Sequence, residues 1–139
     1  DPVCYTVEKQ GKRAAVATDM GCFDDTIIRV LGQCDSVLIE ANHDINMLQV
    51  GPYPYSLKMR ILGNKGHLSN TSCADLIKEI LHKDLKHLVL GHLSRENNFP
   101  QLAYRTVLDE LEKTETWGTL DTRLMVASRD EPTELLKIN

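Results

Sequence analysis

Three short apolar runs, residues 14–17, 37–39 and 88–90, each give way to residues able to bind a metal or move a proton: Asp19, then Glu40 to Asp44, then His92. Runs of three or four apolar residues bounded by polar or turn-forming neighbours suit strands covered on both faces. In open α/β sheets, ligands gather at the carboxyl ends of strands. A single Asp after a strand is more often a helix cap than a ligand, but three such endings in one chain tie the fold to a chemistry.

The rest of the chain supplies what such a sheet needs. Residues 5–16 follow a β pattern broken at Gln10-Gly11-Lys12, which predicts a hairpin. Asp25-Thr26 can cap a short helix with Ile27, Ile28 and Leu31 on one side and Gly32 as its stop. Gly51-Pro52-Tyr53-Pro54 breaks the chain, residues 56–62 read as helical, and Gly63-Asn64-Lys65-Gly66 makes a loop that delivers His67. A helix starting at Ser69 or Asn70 carries Ala74, Ile77, Ile80 and Leu81 as an apolar stripe, with Cys73 in the core. Pro100 opens another, with Ala103, Val107, Leu108 and Leu111 inward, and a strand follows at 124–127. Strands alternating with helices predict an α/β sheet without repeats or linkers.

Composition narrows the partners. Sixteen Lys and Arg against 20 Asp and Glu give a net charge of −4, with the cations spread along the chain, so no basic stripe marks a freestanding nucleic-acid binder. Cys4, Cys22, Cys34 and Cys73 form no CxxC pair, and reduced thiols in a cytoplasmic protein are the expectation. No apolar run approaches the roughly 20 residues a membrane helix needs, so no membrane partner is expected. The opening Asp1-Pro2, without Met, reads as a processing or cleavage boundary.

Four segments carry a resemblance: Thr18-Asp19-Met20-Gly21, Glu40-Ala41-Asn42-His43-Asp44, Gly66-His67-Leu68-Ser69-Asn70, and Gly91 to Asn98 with its Glu96-Asn97-Asn98 triplet. Together they resemble the later motifs of the metallo-β-lactamase superfamily, most nearly its bacterial YycJ/WalJ branch, which Gly51-Pro52-Tyr53-Pro54 also resembles. The resemblance implies the C-terminal half of an αββα sandwich, a mixed sheet with helices packed on one face. Residues 1–139 would then be the C-terminal portion of one domain whose N-terminal half is absent. It also implies that Asp19 bridges two divalent metal ions, zinc or manganese, and that His92 is the last histidine ligand of one of them. A carboxylate has two oxygens and the charge to hold two cations, and an imidazole gives one directional nitrogen. The segment holding His67 is similar to one in the ribonuclease Z group, which implies a catalytic histidine acting on the leaving oxygen rather than a ligand. A loop residue capping a helix is the plainer reading of His67.

Other residues stay open between two roles. Glu40 and His43 either orient the site as a pair or end a strand and cap a helix. Ser94, Arg95, Asn97 and Asn98 either hold substrate phosphate or stabilise their loop. The chain departs from the superfamily in lacking any His-x-His pair, so the His-x-His-x-Asp-His motif and most of the expected ligands have no counterpart. The implied function is metal-dependent hydrolysis, by a phosphodiesterase or nuclease using metal-activated water in the intact protein. Nucleic acid is the implied substrate, and the fragment alone is expected to be inactive with its metals partial or missing. The alternatives are a small-molecule thioester or phosphoester hydrolase, and a noncatalytic interaction domain in which Asp19, His67 and His92 are caps. A sheet face carrying Val16, Leu38 and Val89 would stand uncovered, which predicts self-association or a retained N-terminal half. The metal reading requires Asp19 and His92 to converge within about 2 Å per bond of one ion.

Overall fold

The computed structural model describes residues 4–139, and Asp1-Pro2 lies outside the described residues. Strand β1 (Tyr5–Lys9) turns back into β2 (Lys12–Ala17) through Gln10 at φ 53° and Gly11 at φ 75°. Both central residues lie in the left-handed region, as a type I′ turn requires, and Lys9 pairs with Lys12 across it. Helix α1 (Asp25–Leu31) leads to β3 (Ser36–Glu40). Helices α2 (Ile45–Val50), α3 (Tyr55–Leu62) and α4 (Asn70–Ile80) precede β4 (His87–Gly91). Helix α5 (Pro100–Glu112) and a 3₁₀ turn, Trp117–Thr119, precede β5 (Arg123–Val126). The result is a mixed α/β fold whose five strands lie in the order β1-β2-β3-β4-β5, with β1 antiparallel and the others parallel.

Period-two alternation decides which side of the sheet is covered. Ala15, Ala17, Val37, Ile39, Leu88, Leu90 and Leu124 pack with Leu31 of α1, with Cys73, Leu76, Ile77 and Ile80 of α4, and with Ala103, Val107 and Leu111 of α5. The intervening residues form a row across the other face in register, Tyr5, Val16, Leu38, Val89 and Met125. Tyr5 is 66% exposed and Val16 44%, whereas Val89 is buried. The expectation that the strand at 14–17 is covered on both sides therefore fails at Val16. A short apolar run does not say whether its second face is dry, because alanines at 14, 15 and 17 look alike on either side.

Two local differences have simple causes. The cap of α1 is Asp24, whose Oδ1 accepts the Ile27 N–H at 3.0 Å, one residue before the expected Asp25. Adjacent aspartates are equivalent caps in sequence, and the geometry selects the one three residues before the bonded amide. Helix α2 has six residues and buries only Leu48, too short to show a 3.6-residue stripe. At the sheet end remote from the strand carboxyl termini, buried Asp35 accepts the Arg13 N–H at 2.9 Å and Lys12 Nζ at 3.1 Å. These bonds, the Arg13 amide first, hold its carboxyl below the usual range and tie β2 to the start of β3.

Ile77, fully buried where α4 meets the sheet, tests this packing. Ile77→Ala should lower unfolding stability by about 2–5 kcal/mol, the usual cost of deleting a large buried aliphatic group, read from the denaturant midpoint of the full-length protein.

Candidate metal centre

The residues after β2 and β4 leave their strands in an unusual backbone state. Asp19 has φ 59° and His92 has φ 56°, and the only other described non-glycine residue with positive φ is Gln10 of the hairpin. A side chain in this region costs on the order of 1–3 kcal/mol and persists where surrounding structure over-determines it. The surroundings here are three loops laced by backbone hydrogen bonds. Ala41 N donates to Gly91 O at 3.0 Å and Asn42 N to Leu68 O at 2.9 Å. Ser94 N donates to Asn42 O at 2.7 Å, and Asn70 N to His43 O at 2.9 Å. Residues 41–43 thus run between the His67 and His92 loops and hold both.

The Gly63–Gly66 loop is pressed too tightly for side chains at its contact points. A Cβ on Gly66 would lie 2.0 Å from Ile61 O, and one on Gly21 would lie 2.4 Å from Asn64 O. Glycine at both positions lets the loop sit directly on the turn that follows Asp19, and the next residue is His67.

Glu40 organises what these loops deliver. Its side chain is fully buried at the end of β3. Oε1 accepts from His67 Nδ1 at 2.6 Å and from His92 Nδ1 at 2.7 Å, while Oε2 accepts the Met20 N–H at 3.0 Å. A carboxylate oxygen accepts, so each Nδ1 carries its hydrogen and Nε2 is the ring nitrogen left free of Glu40. That is the arrangement by which a carboxylate orients metal-binding histidines. The ring centroids of His67 and His92 stand 5.5 Å apart. Asp19 Oδ1 lies 3.7 Å from His67 Nδ1 and 3.8 Å from His92 Nε2.

Asp19, Glu40, His67 and His92 each offer a ligand atom, all within 4.8 Å of one another. Two donors bound to one ion at about 2.0–2.2 Å each can stand no more than about 4 Å apart, and Asp19 Oδ1 and His92 Nε2 meet that limit. The donor set, one half-exposed carboxylate and one imidazole with its Nε2 lone pair free, suits a divalent cation. Sequence reasoning placed Asp19, His67 and His92 near one another but not the bond from Glu40 to both histidines. Its only signal was a carboxylate ending a buried strand.

The remaining candidates divide by burial. The structure does not join His43 to Glu40. His43 is buried, its Nδ1 lies 3.3 Å from Asn42 Oδ1, and its Nε2 has no partner among the described residues. Burial, reinforced by nearby His67, pushes it down to about 4, so it stays neutral near pH 7. Asp44, not His43, caps α2, accepting the Met47 N–H at 2.8 Å. The Asn98 amide donates to Ala41 O at 2.9 Å and to Asn70 Oδ1 at 2.8 Å. Asn97 is buried and its carbonyl receives the Asp44 N–H. Both asparagines serve the loop lacing. Ser94 is half-buried and accepts the Asn97 N–H, while Arg95 is exposed. Asn42, which donates to His92 O at 2.9 Å, and Asn70 were missed as supports, since an asparagine beside a strand or helix start reads as ordinary capping.

Glu40→Gln should loosen both imidazoles at once. The amide keeps the shape, but its NH₂ opposes either the Met20 N–H or an imidazole N–H. A fall in metal affinity of about 10–100-fold is expected, the usual cost of losing an orienting partner, measured by metal titration of the full-length protein. Unchanged affinity would remove Glu40 from the orienting role.

No family model matches the chain. Exodeoxyribonuclease WalJ of Streptococcus pneumoniae serotype 2 (strain D39 / NCTC 7466) is 36% identical to it over 137 residues, covering 99% of this chain and 51% of that protein. Exodeoxyribonuclease YycJ of Bacillus anthracis is 34% identical over 113 residues, 81% of this chain and 43% of that protein. The chain spans about half the length of the curated relatives it matches, in their C-terminal part. Sharing at least a third of the aligned residues with each, the chain is a homologue of the WalJ/YycJ proteins.

Proposed function

We propose that the chain carries the later part of a two-metal active site in a DNA-hydrolysing enzyme of the metallo-β-lactamase fold. The observation that carries this reading is Glu40 Oε1 bonded to both His67 and His92, with Asp19 Oδ1 within 4 Å of each imidazole. The DNA substrate rests on the names of the relatives, which are exodeoxyribonucleases. In this reading Asp19 and His92 would be the residues of this chain that hold the divalent ions, zinc or manganese, Asp19 with the charge to serve both. When bound, the metals supply an activated water and neutralise charge at the phosphodiester.

The chain's own groups do the rest. Glu40 accepts Nδ1–H of His67, so His67 would act as general acid in its doubly protonated form, passing the Nε2 proton to the leaving oxygen and keeping the Nδ1–H on Glu40. Glu40 holds His92 in the tautomer that presents Nε2. Ser94 and Arg95 border the same centre and offer a hydroxyl and a planar cationic fork to phosphate. The remaining ligands would come from the other half of the relatives' length. That half would also cover the row containing Tyr5 and Val16, completing an αββα sandwich; a second copy of the chain is the other candidate to cover it. The chain alone, with Asp19 and His92 as its only direct ligands, would hold metal weakly, because catalytic zinc ordinarily has three protein ligands.

Two variants of the full-length protein separate the roles. Asp19→Asn keeps shape but removes the bridging charge, so elemental analysis should show loss of one metal together with loss of DNA hydrolysis. His67→Ala should keep both metals and slow hydrolysis by roughly 10²–10⁴, the usual contribution of a general acid or base. Full activity with both metals retained in Asp19→Asn would defeat the bridging role, and metal loss in His67→Ala would make that residue a ligand.

A further inference from the structure

The corner between α2 and α3 faces the cluster across a cavity of about 510 Å³. Asp19 and His67 form part of its wall, and Tyr53, Arg60 and Lys65 form another. The volume falls within the range of ligand sites, roughly 300–1,000 Å³. We propose that Tyr53, Arg60 and Lys65 are the wall that receives a single nucleic-acid strand, the two cations on its phosphates and the phenol ring against a base. The proposal rests on the nuclease reading above and assigns its substrate-binding residues.

Three features favour this wall. First, Arg60 and Lys65 are exposed and make no ion pair or side-chain hydrogen bond among the described residues, so both heads are free to meet a phosphate at the cavity they line. Two free cations lining the same cavity as Asp19, in a chain of net charge −4, oppose the repulsion a polyanion would meet there. Second, α3 has no fully buried residue, so its sequence answers little to the core and can serve the surface it presents. Third, Lys65 sits between Asn64, whose backbone packs on Gly21, and Gly66, whose backbone packs on Ile61. Its backbone is therefore fixed relative to both Asp19 and His67. An aromatic ring with cations alongside is the combination that binds single strands without reading sequence.

The test is equilibrium binding of a fluorescent single-stranded DNA oligonucleotide to the full-length protein across a salt series, with divalent metal chelated so that nothing is cleaved. Each phosphate contact on a single strand contributes about 0.7 to the slope of log affinity against log salt. Arg60→Ala and Lys65→Ala should each flatten the slope by about 0.7, and the double variant by about 1.4, the sum of two such contacts. Arg60→Lys and Lys65→Arg should restore it, since the charge returns. Tyr53→Ala should weaken binding by about 5–150-fold at every salt concentration, the usual effect of losing one stacking partner. An unchanged slope in the double variant, failure of the charge-preserving variants to restore it, or no binding by the unmodified protein would each overturn the proposal. Binding with the expected slopes by a protein that cleaves no DNA once metal is returned would support the wall and sink the nuclease reading instead.

Discussion

The fully buried Glu40 carboxylate is the constraint on which the site's geometry depends. Taking a carboxylate out of water costs several kcal/mol unless its oxygens are satisfied, and every acceptor bond Glu40 makes goes to a different loop. Met20 N, His67 Nδ1 and His92 Nδ1 come from the segments after β2, α3 and β4. A fold that left any of these loops elsewhere would strand the charge, so the burial of one residue specifies the mutual position of three segments. Hydrogen bonds to a charged group contribute about 1.5–3 kcal/mol each, enough to offset the left-handed backbone at Asp19 and His92.

That strain and the lacing of the loops are one device. A strand that continued straight past Ala17 or Gly91 would carry the next side chains along the sheet. Positive φ at Asp19 and His92 turns them instead, bringing Asp19 Oδ1 and His92 Nε2 to within 3.8 Å of each other. Residues 41–43 then stitch the His67 and His92 loops to β3 through backbone bonds. Asn98 secures the stitch by bonding the carbonyls of Ala41 and Asn42, with Asn70 bonded to its side chain. Buried asparagines suit this work because one amide both donates and accepts.

How much of this was legible in the sequence follows from which interactions are local. The order of strands and helices apart from α2, the Gln10-Gly11 turn, the Ser69 cap and the stripe through Ala74 and Ile77 were readable, because periodicity and caps act within a few residues. The chemical endings Asp19 and His92 were readable as candidates for the same reason. The partner of each histidine was not. Glu40 meets His67 across 27 residues and His92 across 52, and nothing near residue 40 distinguishes it from a strand-ending glutamate. His43, two residues from the Ala41 whose amide joins Gly91 O, looked equally suited to pair with Glu40. Only the path of the chain through 41–43 shows it turned into its own buried pocket against Asn42. The exposure of Val16 was expected only from the missing half that the resemblance implies, since it depends on what lies over the sheet and no residue within the strand encodes that; Val89, on the same face, is buried against that expectation.

The bonds from Glu40 explain how a candidate metal centre can have a defined geometry of its own. In this chain the orienting bonds from Glu40 join protein atoms to protein atoms, so His67 and His92 are positioned whether or not an ion is present. Ligands that depend on an ion for their own placement would bring mutual repulsion and rotamer freedom to the binding step; these do not. The left-handed turns, the glycine contacts of the 63–66 loop and the asparagine lacing all act before any metal arrives. The chain therefore holds Asp19, His67 and His92 in a fixed mutual geometry by contacts among its own atoms.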